Sequence, residues 1–415
     1  MTTSDSTPKE LYVWVWLPGA TEPVVAGRLY RANNRRLHFN YGSSYLNRSD
    51  AIPLYEPELP LRKGSIPPLD GLAMAGSLRD GSPDAWGRRV IIHRLMGKAS
   101  RTDSELDELT YMLQSGSDRI GALDFQLSPT EYIPRGADNA TLEELMEASD
   151  RVEKGLPLTP ELNQALNHGS SIGGARPKAL IQEGDTKYVA KFSSTSDHYN
   201  VVKGEYVAMR LAELAGLNVA PVRLEESAKR DVLLVERFDR AATPKGFQRR
   251  MIVSALTLFE LDELMARYAG YDLLADIIRQ RFSDVSATLR ELYKRLVFNV
   301  LTGNTDDHAR NHAAFWDGQT LALTPAYDIC PQNRTTGSAS QAMRILGTRN
   351  DSRLSLCEEA AYKFNIKDDD AEAIIETMRE TITQSWETVC DEAQLTNIER
   401  QFFWERQFLN PSINE

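Results

Sequence analysis

Apolar and polar positions alternate at the start of the chain and follow helical spacing near its end. Over residues 11–17, Tyr12, Trp14 and Trp16 alternate with Val13, Val15 and Leu17, and the turn Pro18-Gly19 precedes a second apolar run over 23–30. Period-2 runs of aromatic and β-branched side chains split by turn residues predict a hairpin or small sheet. The proline- and glycine-rich stretch from Tyr55 to Gly81 reads as loops, followed by helix-forming composition over Ala85–Met96 and Ser104–Ser115. A polar connector at 128–140 marks a first boundary. After it, Leu142–Val152 predicts a helix, 187–192 a strand and Val201–Gly216 a helix with a glycine stop. The continuous apolar run in 232–238 predicts a buried strand. Beyond about residue 250 strand patterns nearly vanish. There Leu289, Leu292, Tyr293, Leu296, Val297 and Val300 follow i, i+3, i+4 spacing with Gly303 as a C-cap, and Ile374, Ile375, Met378, Ile382 and Val389 mark a second amphipathic helix.

This pattern predicts an α+β chain, β-rich in its first half and helical in its second. Composition narrows the class. A hydrophobic fraction of 41% over 415 residues is enough for two or three folded domains. With 59 acidic against 48 basic side chains the net charge is −11, which opposes capture of nucleic acid through its phosphates; any DNA contact is expected to come from a partner. The run from Leu11 to Leu17 is far short of the ~20 residues that span a bilayer, so a soluble chain with no signal peptide and no membrane partner is expected. Three cysteines, Cys330, Cys357 and Cys390, without CxxC spacing argue against a disulfide framework or structural zinc, and a reducing cytoplasm is expected.

Candidate chemistry sits in two places. The string Gly169-Ser170-Ser171-Ile172-Gly173-Gly174-Ala175 can bring backbone N–H groups close to phosphate oxygens, and Lys191 ends the following strand. Much later, Asn304-Thr305-Asp306-Asp307-His308-Ala309-Arg310-Asn311 places Asp306 and Asn311 five residues apart, just after an amphipathic helix, and Asp328 follows seventeen residues on. A Gly-rich loop, a strand lysine, an Asp-x-x-x-x-Asn loop and a later Asp, in that order, are the parts of a protein kinase. Asp306 is then the base or positioner of the acceptor hydroxyl, Lys191 the phosphate cation, and Asn311 and Asp328 the Mg²⁺ ligands. Glu205 is a candidate partner for Lys191. A competing reading builds a metallohydrolase on Asp306, Asp307, His308, His312 and Asp328, but leaves the Gly-rich loop and Lys191 unexplained. His308 and His312 otherwise read as scaffolding, Asp368-Asp369-Asp370 as helix N-terminal charges, and Trp14 and Trp16 as core residues or part of a partner-binding face.

Several motifs together resemble the HipA family of bacterial toxin kinases. They are 171–178, Ala190-Lys191-Phe192, Glu205-Tyr206-Val207-Ala208-Met209, Val235 through Arg240, Asn304 through Asn311 and Thr324 through Asp328. In the first part of the chain, Val24–Leu29, Asp84-Ala85-Trp86-Gly87-Arg88-Arg89 and Asp118-Arg119-Ile120-Gly121-Ala122-Leu123 agree as well. Arg249 through Leu256 departs from the Glu-Asp-containing version of the best-known members. The resemblance implies a protein-kinase-like bilobal fold: an N-terminal subdomain over 8–130, a kinase N-lobe over 145–240 and an all-α C-lobe over 241–410. It implies an ATP- and Mg²⁺-dependent serine/threonine kinase acting as the toxin of a type II toxin–antitoxin pair. A HipB-like helix-turn-helix antitoxin would be its partner and its only route to DNA. The implied protein substrate is an aminoacyl-tRNA synthetase, glutamyl-tRNA synthetase first, with self-phosphorylation at Ser171 or the adjacent Ser170. The implied nucleotide-binding set is Ser171, Ile172, Gly173, Gly174, Ala175, Lys191, Glu236, Phe238, His308, Arg310, Asn311, Tyr327 and Asp328. The alternative is a catalytically weak subunit that acts as a corepressor with a DNA-binding antitoxin.

Overall fold

The computed structural model describes residues 8–96, 106–136, 140–165, 174–194, 197–333 and 337–415. The predicted opening hairpin forms from Glu10–Val15 and Val24–Arg31, and it grows into a four-stranded antiparallel sheet with Leu37–Tyr41 on one side and Leu123–Gln126 on the other. Leu11 faces Leu29 and Val13 faces Gly27, with a register shift after Val13. Trp14 and Trp16 are buried and flank Tyr132 at ring-centroid distances of 5.5 and 5.4 Å, so they are core residues. The helices Ala85–Met96 and Glu108–Gln114 follow the looped stretch, the second opened by the Asp107 carboxylate accepting from Leu109 N.

A second four-stranded antiparallel sheet runs in the order Lys178–Glu183, Thr186–Phe192, Arg230–Glu236, Val222–Ser227. Its two faces explain the unbroken apolar run in 232–236. Val232 and Leu234 pack with Ala190, Phe192 and Leu145 on the side covered by helix Leu142–Glu153. Leu233 and Val235 join the main core beside helix Val201–Leu214. A strand covered on both faces has no polar alternation to show.

The rest is mainly helical. Helices Tyr271–Arg281, Val285–Leu301, Leu354–Ala360 and Asp368–Glu392 contribute to a core cluster that also reaches back to Leu11. The expected near-absence of strands past residue 250 holds only in part. Met251–Ser254, Ala313–Trp316 and Leu321–Leu323 form a small three-stranded sheet there, and just before it Arg240–Thr243 pairs with Gly246–Arg249, so the part over 241–410 is not all-α. Strands of three or four residues are too short to establish a period-2 signal.

Candidate functional site

Lys191 lies one residue before the end of its strand and points toward helix Val201–Leu214, where its ammonium meets the Glu205 carboxylate at 2.5 Å. The same ammonium bonds Asp328. Burial by itself would lower the pKa of Lys191, but the two carboxylates hold it well above the usual lysine value. Burial also works against the charge on Asp328, and Lys191 with Lys178 outweighs it and brings the pKa far below the carboxylate range. Glu205 goes the other way: burial raises its pKa more than Lys191 lowers it. Glu205 is thus the partner of Lys191, through a direct ion pair.

Asp328 carries a left-handed backbone at φ 61°, sparsely populated for any residue with a side chain, though Asp tolerates it better than most. Two residues earlier Ala326 bridges Val219 in parallel fashion, with Ala326 N donating to Asn218 O at 2.7 Å. That bridge holds the carboxylate against the strand lysine.

The other half of the cleft is the loop after helix Val285–Leu301. Gly303 takes φ +67°, and a Cβ there would lie 2.6 Å from Gln407 O, so the turn requires glycine. A buried chain of hydrogen bonds shapes the loop beyond this turn. Asn304 Nδ2 donates to Asn299 Oδ1 at 2.9 Å, and Asn299 Nδ2 donates to the Tyr271 hydroxyl at 3.2 Å. Tyr271 in turn donates to Asp307, which His312 Nε2 also meets at 2.7 Å. Burial opposes the Asp307 charge, but His312 and Tyr271 hold its pKa below the ordinary value. Asp307 and His312 are therefore committed to each other, as the scaffold reading of His312 expects. His308 has a similar local use, its Nδ1 accepting from Arg310 N at 3.3 Å. Asp306, just before them in the chain, is exposed. The surrounding loop partly desolvates its carboxylate and so raises the pKa, an effect to which Asp328 and Asp307 add. Asn311 Nδ2 donates to Asp306 O at 3.4 Å, which leaves its side-chain oxygen as an acceptor.

Phe238, just beyond the strand Arg230–Glu236, contacts Tyr327 and Phe315 at 5.6 and 5.9 Å between ring centroids. The Arg250 guanidinium stacks 3.2 Å from the centre of Phe315, so the divergent stretch contributes a cation to this aromatic wall. Glu236 is held in the sheet opposite Tyr188, and the Tyr327 hydroxyl donates to Arg310 O at 2.7 Å. Ser170, Ser171, Ile172 and Gly173 lie outside the described residues. Gly174 and Ala175 line a cavity of about 390 Å³ with Asp84, His308 and Arg310. Lys178, part of a sequence motif without an assigned role, is buried with its ammonium beside Gly174; burial first and Lys191 second lower its pKa.

The region before residue 130 is tied to this site by charge. Asp118 meets Lys187 at 2.6 Å, Arg240 at 2.9 Å and Arg237 at 3.1 Å. The buried Asp239 accepts from Arg237, Arg240 and Gly121 N. Arg237, Asp239 and Arg240 thus serve to seat the N-terminal region beside Phe238. Asn311 and Asp328 present hard oxygen donors that fit Mg²⁺ better than a thiolate- or imidazole-preferring metal.

Comparison with known proteins agrees with this architecture. A family model described as HipA-like C-terminal domain matches residues 170–386, and one described as HipA N-terminal domain matches 15–126. The serine/threonine-protein kinase toxin HipA of Shewanella oneidensis is 28% identical over 183 residues, 38% of this chain and 42% of that protein. The chain therefore aligns with less than half the length of that relative. Y4mE of Sinorhizobium fredii is 24% identical over 341 residues, 76% of each chain. The solved Shewanella oneidensis MR-1 assembly of HipA, HipB and operator DNA contains a chain of the same fold, with a TM-score of 0.67 at 18% identity, covering 97% of this chain and 99% of that one. With both parts of the family pattern matched in order along one chain, this protein belongs to the HipA family.

Proposed function

We propose that the protein is an ATP-dependent protein kinase that transfers the γ-phosphate to a serine or threonine hydroxyl and acts as the toxin of a toxin–antitoxin pair. The single observation that carries the reading is Lys191 held between Glu205 and Asp328. A strand lysine paired to a helix glutamate is the arrangement that orients nucleotide phosphates in kinases. The exposed Asp306 carboxylate would accept the hydroxyl proton or orient the hydroxyl for in-line attack. Lys191 and Lys178 would draw the phosphates down, and the wall of Phe238, Phe315 and Tyr327 would take the adenine. Mg²⁺, held by Asn311 and Asp328, would supply neutralisation of phosphate charge.

Intact-mass spectrometry after incubation with ATP and Mg²⁺ tests the reading, with glutamyl-tRNA synthetase as the first acceptor offered. Wild type should gain phosphate or pass it on, and Asp306→Asn should lose roughly 10²–10⁴ in rate. Equal labelling by both proteins would sink the role of Asp306. Peptide mapping of the same samples decides whether Ser170 or Ser171 is modified. The partner reading, a basic helix-turn-helix antitoxin that brings the chain to DNA, draws support from the net charge of −11 and from the partners of the Shewanella HipA. A sequence-specific gel shift by the isolated chain would oppose it.

A further inference from the structure

Gly174 ends the Gly-rich string, and the N-terminal region holds it from both sides. Asp84 Oδ2 accepts from Gly174 N at 2.8 Å, and Trp86 N donates to Gly174 O at 3.0 Å. The Trp86 indole, wholly buried, adds a bond to Lys178 O at 3.1 Å. Gly174 itself takes φ +99°, and a Cβ there would lie 2.2 Å from Lys178 Nζ. The second carboxylate oxygen of Asp84 does something different: it accepts from Arg310 Nη1, in the loop between Asp306 and Asn311. Arg310 Nη2 pairs with Glu263 at 2.5 Å.

One carboxylate therefore bridges two segments that a kinase must keep in register. One covers the phosphates, and the other carries the group that meets the acceptor. These contacts span 90 and 226 residues of sequence, so nothing in local folding demands them. We propose that Asp84 is a positioning residue for phosphoryl transfer, fixing the end of the Gly-rich loop relative to the loop of Asp306 through Gly174 and Arg310. The N-terminal region is on this account part of the catalytic architecture. The inference rests on the kinase reading above. It predicts that loss of the clamp harms handling of the terminal phosphates and leaves the adenosine end of the site alone.

The experiment uses the full chain, ATP with Mg²⁺, and two acceptors, the chain itself and dephosphorylated casein. Asp84→Asn should slow transfer by about 10²-fold, the scale on which small misplacements act. Its affinity for the Mg²⁺ complex of a non-hydrolysable ATP analogue should fall by at least roughly tenfold, while adenosine binding changes less than about twofold. Asp84→Glu keeps the charge but displaces the Gly174 acceptor, and should lie between Asp84→Asn and wild type. It decides the matter by the same readouts if Asp84→Asn does not fold. A wild-type transfer rate in the variants overturns the clamp and leaves the kinase reading standing, as does a parallel loss of adenosine and triphosphate affinity. A wild type that transfers phosphate to neither acceptor overturns the kinase reading, and the clamp with it.

Discussion

Asp306 differs from its neighbours Asp307 and Asp328 in being exposed and in having its pKa pushed up. Desolvation by the loop comes first, and the charges of Asp328 and Asp307 add to it, against the opposing pull of His308 and Arg176. A group that must be ionised to orient a hydroxyl is active only above its pKa, so the raised value moves the acid limb of the rate profile upward. Transfer measured against pH should fall on the acid side at a midpoint above the ordinary 3.8 of aspartate. Asp306→Asn should keep a low, flat rate over the same range. A wild-type profile flat down to the pH where the protein unfolds would count against Asp306 as the titrating group. At this scale spacing and order single out Asp306, Asn311, Asp328 and Lys191 as candidates, and the structure brings Lys191 and Asp328 together. Asp84 could be seen as part of a motif but given no role. Its partners, Gly174 and Arg310, come from distant segments, and single-chain spacing holds no trace of such contacts.

Among elements, the helix Val285–Leu301 does most to aim the site. Its apolar stripe is buried through Leu289, Leu292, Leu296 and Val300, and Asn299 on the same helix holds Asn304 and Tyr271. The helix stops at Gly303 because the next turn needs a left-handed residue pressed against Gln407 O. Gly303→Ala places a methyl group where it meets a backbone oxygen at 2.6 Å and asks alanine for φ +67°. The strained conformation costs about 1–3 kcal/mol, before any shift of the 407 segment. The melting temperature should drop, and transfer should drop further than stability alone explains, because Asn304 and Asp306 leave from this turn. A variant that melts like wild type would remove the steric argument. Long amphipathic helices such as this one and Asp368–Glu392 were readable from periodicity, since many turns repeat the same signal. The sheet of Met251–Ser254, Ala313–Trp316 and Leu321–Leu323 was not, although its middle strand leads directly away from Asn311 and His312. Its strands owe their form to pairing between distant segments, with Ser254 opposite Ala313 and Ala314 opposite Leu323.

For the molecule as a whole, what matters is how the first 130 residues are fastened to the rest. Fold class and the order of parts could be read from the sequence, but the fastening could not, because Arg237, Asp239 and Arg240 find their partners Asp118 and Gly121 more than a hundred residues away. In the structure Arg237, Asp239 and Arg240 are nearly inaccessible, each side chain 3% exposed or less. Burial disfavours the charge on Asp239, but Arg237 and Arg240 overcome it and lower the pKa. The consequence for stability has a definite sign. A carboxylate whose folded pKa lies below its unfolded value of about 3.9 binds fewer protons folded than unfolded. Its stabilisation is complete above the unfolded pKa and is lost as pH falls through the folded one. Asp239→Asn removes the negative charge and leaves two buried guanidinium groups with less compensation, a defect that typically costs about 3–5 kcal/mol. At pH 7 the variant should melt well below wild type. As pH drops below about 4, wild type should lose stability faster than the variant, and the gap between their melting temperatures should narrow. Arg237 and Arg240 also bond the carbonyl of Arg119, and Arg240 that of Gly121, so the variant should loosen the N-terminal region first. Hydrogen exchange at neutral pH should show faster exchange in the segment around 118–126 than in the helices of the main core. A constant gap at every pH, or exchange that rises uniformly, would mean that Asp239 is not what fastens the two parts.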